Sequence, residues 1–369
     1  MKGHIRERSP GRWAIVIDVR DPTTGKRKRK WHSFIGTKRQ AQVECAKLIA
    51  EIKNGTALDP AKVTLREYLE RWLAYMATQV SPRSAENYRE VVEHWIVPAL
   101  GNVKLAKLQP GQIAQAYSDA LTKGGKDGQG LSPRSIVMMH RTLSQSLKHA
   151  VIWRLRGDNP ASFCKPPRVE RKEMKVLDLD STASLIEFAR GGRLYIPILF
   201  FALCGLRRAE VAALRWNRLD LDAHRLSIST SIEQTAQGTR EKPPKTGKAR
   251  SIALPALIVE ELRRHRISQA EQLLAFGVRQ TDDTHICLRE DGGPWPPRVL
   301  TYAFARLIRA SGLTRVRLHD LRHGHATHLL VANLNIQLTL DTYSHVLPSM
   351  QEDAATTIDA AMRAALKRR

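Results

Sequence analysis

Arg207 stands in Cys204-Gly205-Leu206-Arg207-Arg208-Ala209-Glu210, where an apolar helix gives way to a second helical stretch, Val211 to Trp216, and a junction of that kind can aim a side chain. Lys245 lies in Pro243-Pro244-Lys245-Thr246-Gly247-Lys248-Ala249-Arg250, a turn between two strands. His319 and Arg322 belong to Leu318-His319-Asp320-Leu321-Arg322, and residues three apart share a helix face. Tyr343 follows in Asp341-Thr342-Tyr343-Ser344-His345, close to the C-terminus. A surface arginine, a turn lysine and a His-x-x-Arg pair each have an ordinary structural explanation. In this order, on a basic chain, they are also the parts that phosphoryl transfer without a metal requires: fixed cations around the phosphate, an acid for the leaving oxygen and a nucleophile.

The chain is basic. Sixty Lys and Arg against 36 Asp and Glu leave a formal charge of +24 over 369 residues, an excess that favours a polyanionic partner such as nucleic acid. Composition does not choose duplex DNA over RNA, since ribosomal and other RNA-binding proteins share the balance. Cys45, Cys164, Cys204 and Cys287 lie far apart with no Cys-x-x-Cys pair, which argues against a zinc ribbon or a disulfide framework and fits a cytoplasmic protein in a reducing cytosol. The opening MKGHIRERSPGRW lacks the apolar core of a secretory signal, and the longest apolar run, Leu194 to Leu206, is too short for a bilayer and reads as a buried helix. His323, His325 and His328 crowd the segment of His319, but no carboxylate and cysteine set accompanies them and their positions face different ways, so no metal site is expected.

Three regions must position these residues. WAIVIDV, Trp13 to Val19, is rich in strand formers, and Lys30 to Ile35 repeats that character after the turn-like Asp21-Pro22-Thr23-Thr24-Gly25, which predicts a hairpin. A polar helix from Lys38 to about Lys53 completes a small strand-and-helix module carrying the run Lys26-Arg27-Lys28-Arg29-Lys30, read either as a solvated turn or as a DNA-binding patch. Thr64-Leu65-Arg66-Glu67 is a capping box, and Leu65, Tyr68, Leu69, Trp72, Leu73 and Met76 follow on one helical face. Ser81-Pro82 and Ser132-Pro133 start further helices, whose stripes are Tyr88, Val91, Val92, Trp95 and Ile96, and Ile136, Met139, Leu143 and Leu147. Residues 62 to about 158 therefore read as all-helical. Asn159 to Pro167, with three prolines, and the charged Arg168 to Lys175 read as a linker. Beyond it a mixed α+β, mainly helical domain is expected, with helix over about 180 to 215, strands near Leu226 to Ile232 and Arg250 to Leu254, and helices to the end. Tyr302 is assigned to a core stripe with Leu300, Phe304 and Leu307. Arg208, Glu210 and Arg215 read as helix-surface or salt-bridge residues.

CGLRRAEVAALRW, KTGKAR, HDLRHGHATHLL and LDTYSHV resemble the motifs of the phage-type tyrosine recombinases, and the resemblance runs over essentially the whole chain. It implies a three-part integrase: an arm-type DNA-binding module over 1–58, a helical core-binding domain over 62–158, and a catalytic domain over 175–369. In such an enzyme Arg207 and Arg322 would grip the nonbridging oxygens of the scissile phosphate, Tyr343 would attack phosphorus, His319 would help remove the phenolic proton, and Lys245 would protonate the departing 5′ oxygen. Lys242 and Lys248 lie near, but Lys245 occupies the family's Lys-Thr position. The resemblance implies no cofactor, double-stranded attachment sites as partners, a homotetramer on DNA, and accessory DNA-bending or directionality proteins.

One departure from the family pattern stands out. A Leu-Gly-His or Leu-Gly-Trp box normally lies between the His-x-x-Arg helix and the nucleophile, whereas here HATHLLVANLN passes directly to IQLTLDTYSHV, shorter by about three helical turns. Extended, Asn333 to Tyr343 spans roughly 35 Å, enough to return the tyrosine to the phosphate. The alternative function is a remnant that occupies recombination sites without cutting. The final helix, with Ile358, Ala361, Met362 and Ala365 on one face, is expected to dock either on a neighbouring protomer or within its own chain.

Overall fold

The computed structural model describes residues 2–20, 27–53, 62–125, 128–170, 175–243, 249–289, 292–331 and 348–367. It divides into two compact units, Met1–Val169 and Glu170–Arg369.

The first unit begins with an antiparallel meander, β1 (Lys2–Ser9), β2 (Arg12–Arg20) and β3 (Arg27–Ile35), followed by α1 (Lys38–Lys53). The hairpin and helix match the sequence expectation, while β1 goes beyond it. Its residues, KGHIRERS, offer one strong apolar side chain, and it is held by register with β2, Ile5 opposite Ile15. Ile15 and Ile17 on one face of the sheet pack with Cys45, Leu48 and Ile49 of α1, a small core of their own. The basic run lies in β3 from Arg27 onward rather than in a turn, and Lys26 falls outside the described residues.

The helical part builds on α2 (Leu65–Gln79), α3 (Pro82–Val91), α4 (Val97–Leu100), α5 (Pro110–Lys123) and α6 (Pro133–Ile152), with a π turn over Val92–Ile96 between α3 and α4. The capping box forms as the sequence predicts: the Thr64 amide donates to Glu67 Oε2 at 2.8 Å and the Glu67 amide to Thr64 Oγ1 at 3.3 Å. Tyr68 and Trp72 are wholly buried, and their polar ends are satisfied, the Tyr68 hydroxyl by the Ser146 carbonyl and Trp72 Nε1 by His149 Nδ1 at 2.7 Å. Such pairing removes the cost of burying a polar group. The expected linker starts later than its prolines suggest. Pro160, Ala161 and Cys164 are buried, Ala161 and Cys164 within this helical core, and Asn159 donates to the Ser144 carbonyl at 3.0 Å.

In the second unit the region read as one helix is three: α7 (Leu179–Ala189), α8 (Tyr195–Cys204) and α9 (Arg208–Val211). Glycines cause both breaks, since Gly191 and Gly205 adopt φ of +74° and +59°, which end a right-handed helix. Every residue of α8 is buried, as the apolar run predicts, and α7, α10 (Ala256–Ala275), α12 (Leu318–Val331) and α13 (Pro348–Lys367) pack on it. The strand expected over 226–232 divides between two sheets. β4 (Leu219–Asp220), β5 (Arg225–Ile228) and β8 (Arg250–Ala253) form one, and β6 (Ser231–Thr235) pairs with β7 (Gly238–Lys242) in the other. β7 is polar throughout and exists through its pairing.

Two further expectations need correcting. α11 (Pro297–Ala310) buries Leu300, Phe304 and Ile308, but Tyr302 is 69% exposed, because two residues along a helix is about 200° around it. α13 buries Ala354, Ile358, Met362 and Ala365 in its own chain's core, with Ala361 half-buried, and Asp359 accepts from the Leu257 amide at 2.6 Å, so the final helix docks intramolecularly here. Among the described residues no helix is long and apolar enough to cross a membrane.

Losing the Thr64 cap strands a helix-terminal amide, so Thr64→Ala should lower stability by about 1 kcal/mol. A urea titration followed by circular dichroism measures it; an unchanged midpoint would show that the box contributes nothing.

Candidate active site

The site grows from the end of α8. Gly205, with φ of +59° and ψ of 29°, turns the chain out of the helix; Leu206 is buried as an anchor; Arg207 then takes the N-cap position of α9. Glu210, at the third position of α9, accepts from the Arg207 amide at 2.9 Å and from its guanidinium at 3.0 Å. The same carboxylate receives both arms of the Arg250 guanidinium, at 2.9 and 2.7 Å. Burial alone would push the Glu210 pKa up, but the Arg250 fork and Arg207 outweigh it and hold it below the usual carboxylate value, so Glu210 is an anion. Its side chain is 1% exposed while that of Arg207 is 34% exposed, so the arginine reaches outward from a buried charged base.

α12 brings the second cation. Arg322 is buried and donates to the Gly205 carbonyl, two residues ahead of Arg207. His325, one turn on, bonds the Ala202 carbonyl through Nδ1 at 3.1 Å, and His328 bonds the Leu177 carbonyl through Nε2 at 3.0 Å. A carbonyl only accepts, so each named nitrogen carries a proton. The crossing is tight: a Cβ on Gly205 would stand 2.6 Å from His325 Cδ2. These two histidines are thus ties between elements. Asp320 secures the start of the helix, accepting from the Arg317 amide at 2.8 Å.

His319 sits one turn before Arg322 on the exposed side, its ring edge-on to that of His323 with centroids 4.8 Å apart. Burial first, then the nearby His323 and Arg322 charges, lower its pKa, which keeps the imidazole neutral and able to accept a proton.

Arg207, His319 and Arg322 therefore issue from one small region, the C-terminal end of α8 with the first turns of α12. Lys245 and Tyr343 lie outside the described residues, as does the shortened segment ahead of Tyr343. The segment of Lys245 is bracketed by β7 and β8, and Tyr343 belongs to the connection between α12 and α13. Lys242, one rival for the role of Lys245, is engaged by Glu233 at 2.5 Å. Sequence reasoning gives no site role to Glu210 or Arg250. The spacing of Glu210 three residues after Arg207 is that of a capping box, a signal hidden by the arginine at its head. Nothing local marks Arg250, 40 residues from Glu210. Of the basic run in the first unit, Arg29 is exposed and pairs with Asp18 at 3.3 Å.

Comparison with known proteins follows the same division of the chain. Residues 64–121 match the phage integrase N-terminal SAM-like domain and residues 175–351 the phage integrase family. A XerC-like tyrosine recombinase of Caldanaerobacter subterraneus is 24% identical over 94% of this chain and 95% of its own length, and the ICEBs1 integrase of Bacillus subtilis is 23% identical over 92% and 94%. Among solved structures, the Tn1549 transposon integrase in complex with a circular intermediate DNA superposes with a TM-score of 0.65 at 18% identity, covering 84% of this chain and all of that one. A lambda integrase tetramer bound to a Holliday junction gives 0.58 at 18% identity, covering 94% of this chain and 96% of that one.

The buried histidines make stability depend on pH. Burial pushes the pKa of His325 down to about 3, against about 6.5 in an unfolded chain. Between those values the unfolded state binds the extra proton, so stability falls as pH drops below about 6.5. The melting temperature should decline from pH 7.5 to 5, and His325→Asn, which keeps a donor near Nδ1, should flatten that decline. Identical slopes in the two proteins would remove His325 from the account.

Proposed function

Since this chain belongs to the phage integrase family, we propose that it is a site-specific DNA recombinase that cuts and rejoins DNA through a 3′-phosphotyrosyl link at Tyr343, integrating or excising a mobile element. One observation carries the assignment of the site: Arg322 bonds the carbonyl of Gly205, so two guanidinium groups and the neutral imidazole of His319 arise at one place.

Arg207 and Arg322 hold the nonbridging oxygens of the scissile phosphate. A guanidinium matches phosphate bidentately and stays charged while the pentacoordinate transition state accumulates negative charge. Tyr343 Oη attacks phosphorus as the bond to the 5′ oxygen breaks. The phenolic proton, held with a pKa of about 10 in the free side chain, passes to His319, and Lys245 gives a proton to the leaving oxygen. The phosphotyrosyl ester keeps the energy of the broken bond, and a 5′ hydroxyl from a second strand reverses the step. Four copies on paired duplex attachment sites complete two such exchanges, with accessory bending or directionality proteins where the element requires them. The amino-terminal module, with Lys26, Arg27, Lys28, Arg29 and Lys30, binds a separate arm-type site.

A suicide DNA carrying the attachment site tests the chemistry. A covalent adduct is expected, absent in Tyr343→Phe; a salt-sensitive mobility shift with no adduct would support a binding-only remnant instead. Replacing Lys28, Arg29 and Lys30 by Ala should lower arm-site affinity and make the plot of log K against log salt shallower, by about 0.9 for each phosphate that the variant no longer neutralises. An unchanged slope would take the run out of the interface.

A further inference from the structure

The segment carrying Lys245 leaves β7 and enters β8, and both of its flanks are tied to the element that carries Arg207. On the exit side Arg250, the first residue of β8, puts its whole fork on Glu210, the carboxylate that also holds the Arg207 guanidinium and amide. Arg250 and Glu210 have side chains 6% and 1% exposed, so water competes little for the pair. On the entry side Glu241 of β7 receives Arg215 at 2.5 Å, and Arg215, four residues beyond α9, is steadied by Asp283 at 2.8 Å. The partner strand adds an apolar contact, Ile232 of β6 packing on Ala212 and Ala213 just after α9. Within β6–β7, Glu233 holds both Arg240 and Lys242.

We infer that Arg250 and Arg215 are positioning residues that clamp the two ends of the Lys245 segment to the Arg207 element, so that proton donor and phosphate-binding cation keep a fixed register. The inference rests on Lys245 being the acid. In the step served, the Tyr343 Oη to phosphorus bond forms and the bond from phosphorus to the 5′ oxygen breaks; the tyrosine proton goes to His319, and a proton moves from Lys245 Nζ to the 5′ oxygen. A clamp on the donor matters only while the leaving group needs that proton. The identity of the cations follows from their geometry: a lysine at 250 would keep the charge but could not span both oxygens of Glu210.

The test compares two attachment-site DNAs in the full-length protein, one with the natural phosphodiester and one with sulfur in place of the bridging 5′ oxygen. A thiolate, whose conjugate acid has a pKa of about 8.5, departs without a proton, whereas an alkoxide does not. Lys245→Ala serves as the reference. It should cut the natural DNA far more slowly and recover on the sulfur DNA; failure to recover overturns the acid assignment and the clamp with it. Arg250→Lys and Arg215→Gln should each slow cleavage of the natural DNA, by about a hundredfold for a displacement near 1 Å, and regain most of that rate on the sulfur DNA. Arg215→Gln breaks a partly exposed pair and keeps the question open should Arg250→Lys fail to fold. Equal slowing on both DNAs, or no slowing in folded protein, overturns the clamp while leaving Lys245 as the acid.

Discussion

The catalytic unit depends on how closely α12 crosses the end of α8. The last carbonyls of a helix lack intrahelical partners and carry the negative end of its dipole, so they favour a cation or a polarised N–H nearby. Arg322 takes the carbonyl of Gly205 and His325 that of Ala202, which fixes α12 along its length against the buried helix. Gly205 makes this possible twice over. It adopts the left-handed conformation that ends α8, and it lacks the Cβ that would collide with His325. The same turn then delivers Arg207 to the N-cap of α9, so one glycine sets the relation between the two arginines.

Charge buried beneath Arg207 is the second constraint. An isolated carboxylate as enclosed as Glu210 would be protonated or would unfold the region, and it stays ionised because two guanidiniums surround it. The arrangement gives up flexibility in return for order. A surface arginine samples many rotamers, whereas Arg207 is gripped at its amide and at its guanidinium by one residue. Preorganised donors of this kind need little rearrangement as charge develops on a phosphate. The histidines divide the labour in a comparable way: His325 and His328 spend their N–H groups on carbonyls, and His319, on the outer side of the same helix, is left neutral by burial and neighbouring positive charge.

Local sequence determined a great deal. The Thr64 capping box, the Ser-Pro helix starts, the stripe from Leu65 to Met76 and the fully buried α8 were all readable, because each depends on residues within a turn or two of one another. The order of Arg207, Lys245, His319, Arg322 and Tyr343 was likewise enough to place the chain in its family. Where local signal was thin, reading failed: β1 and β7 are polar strands that exist through pairing, and Tyr302 was assigned to a stripe that passes on the other side of its helix.

The tertiary structure alone decided which of the charged residues act together. Glu210 and Arg250 are separated by 40 positions, and only the folding of β8 beside α9 joins them. The docking of α13 within its own chain and the conversion of two histidines into backbone ties are decisions of the same sort. A sequence records what each residue can do and where helices and strands can begin, through short-range sterics and hydrogen bonding. Which distant groups share a desolvated space is set by packing, and in that space the strength of every charge interaction is fixed.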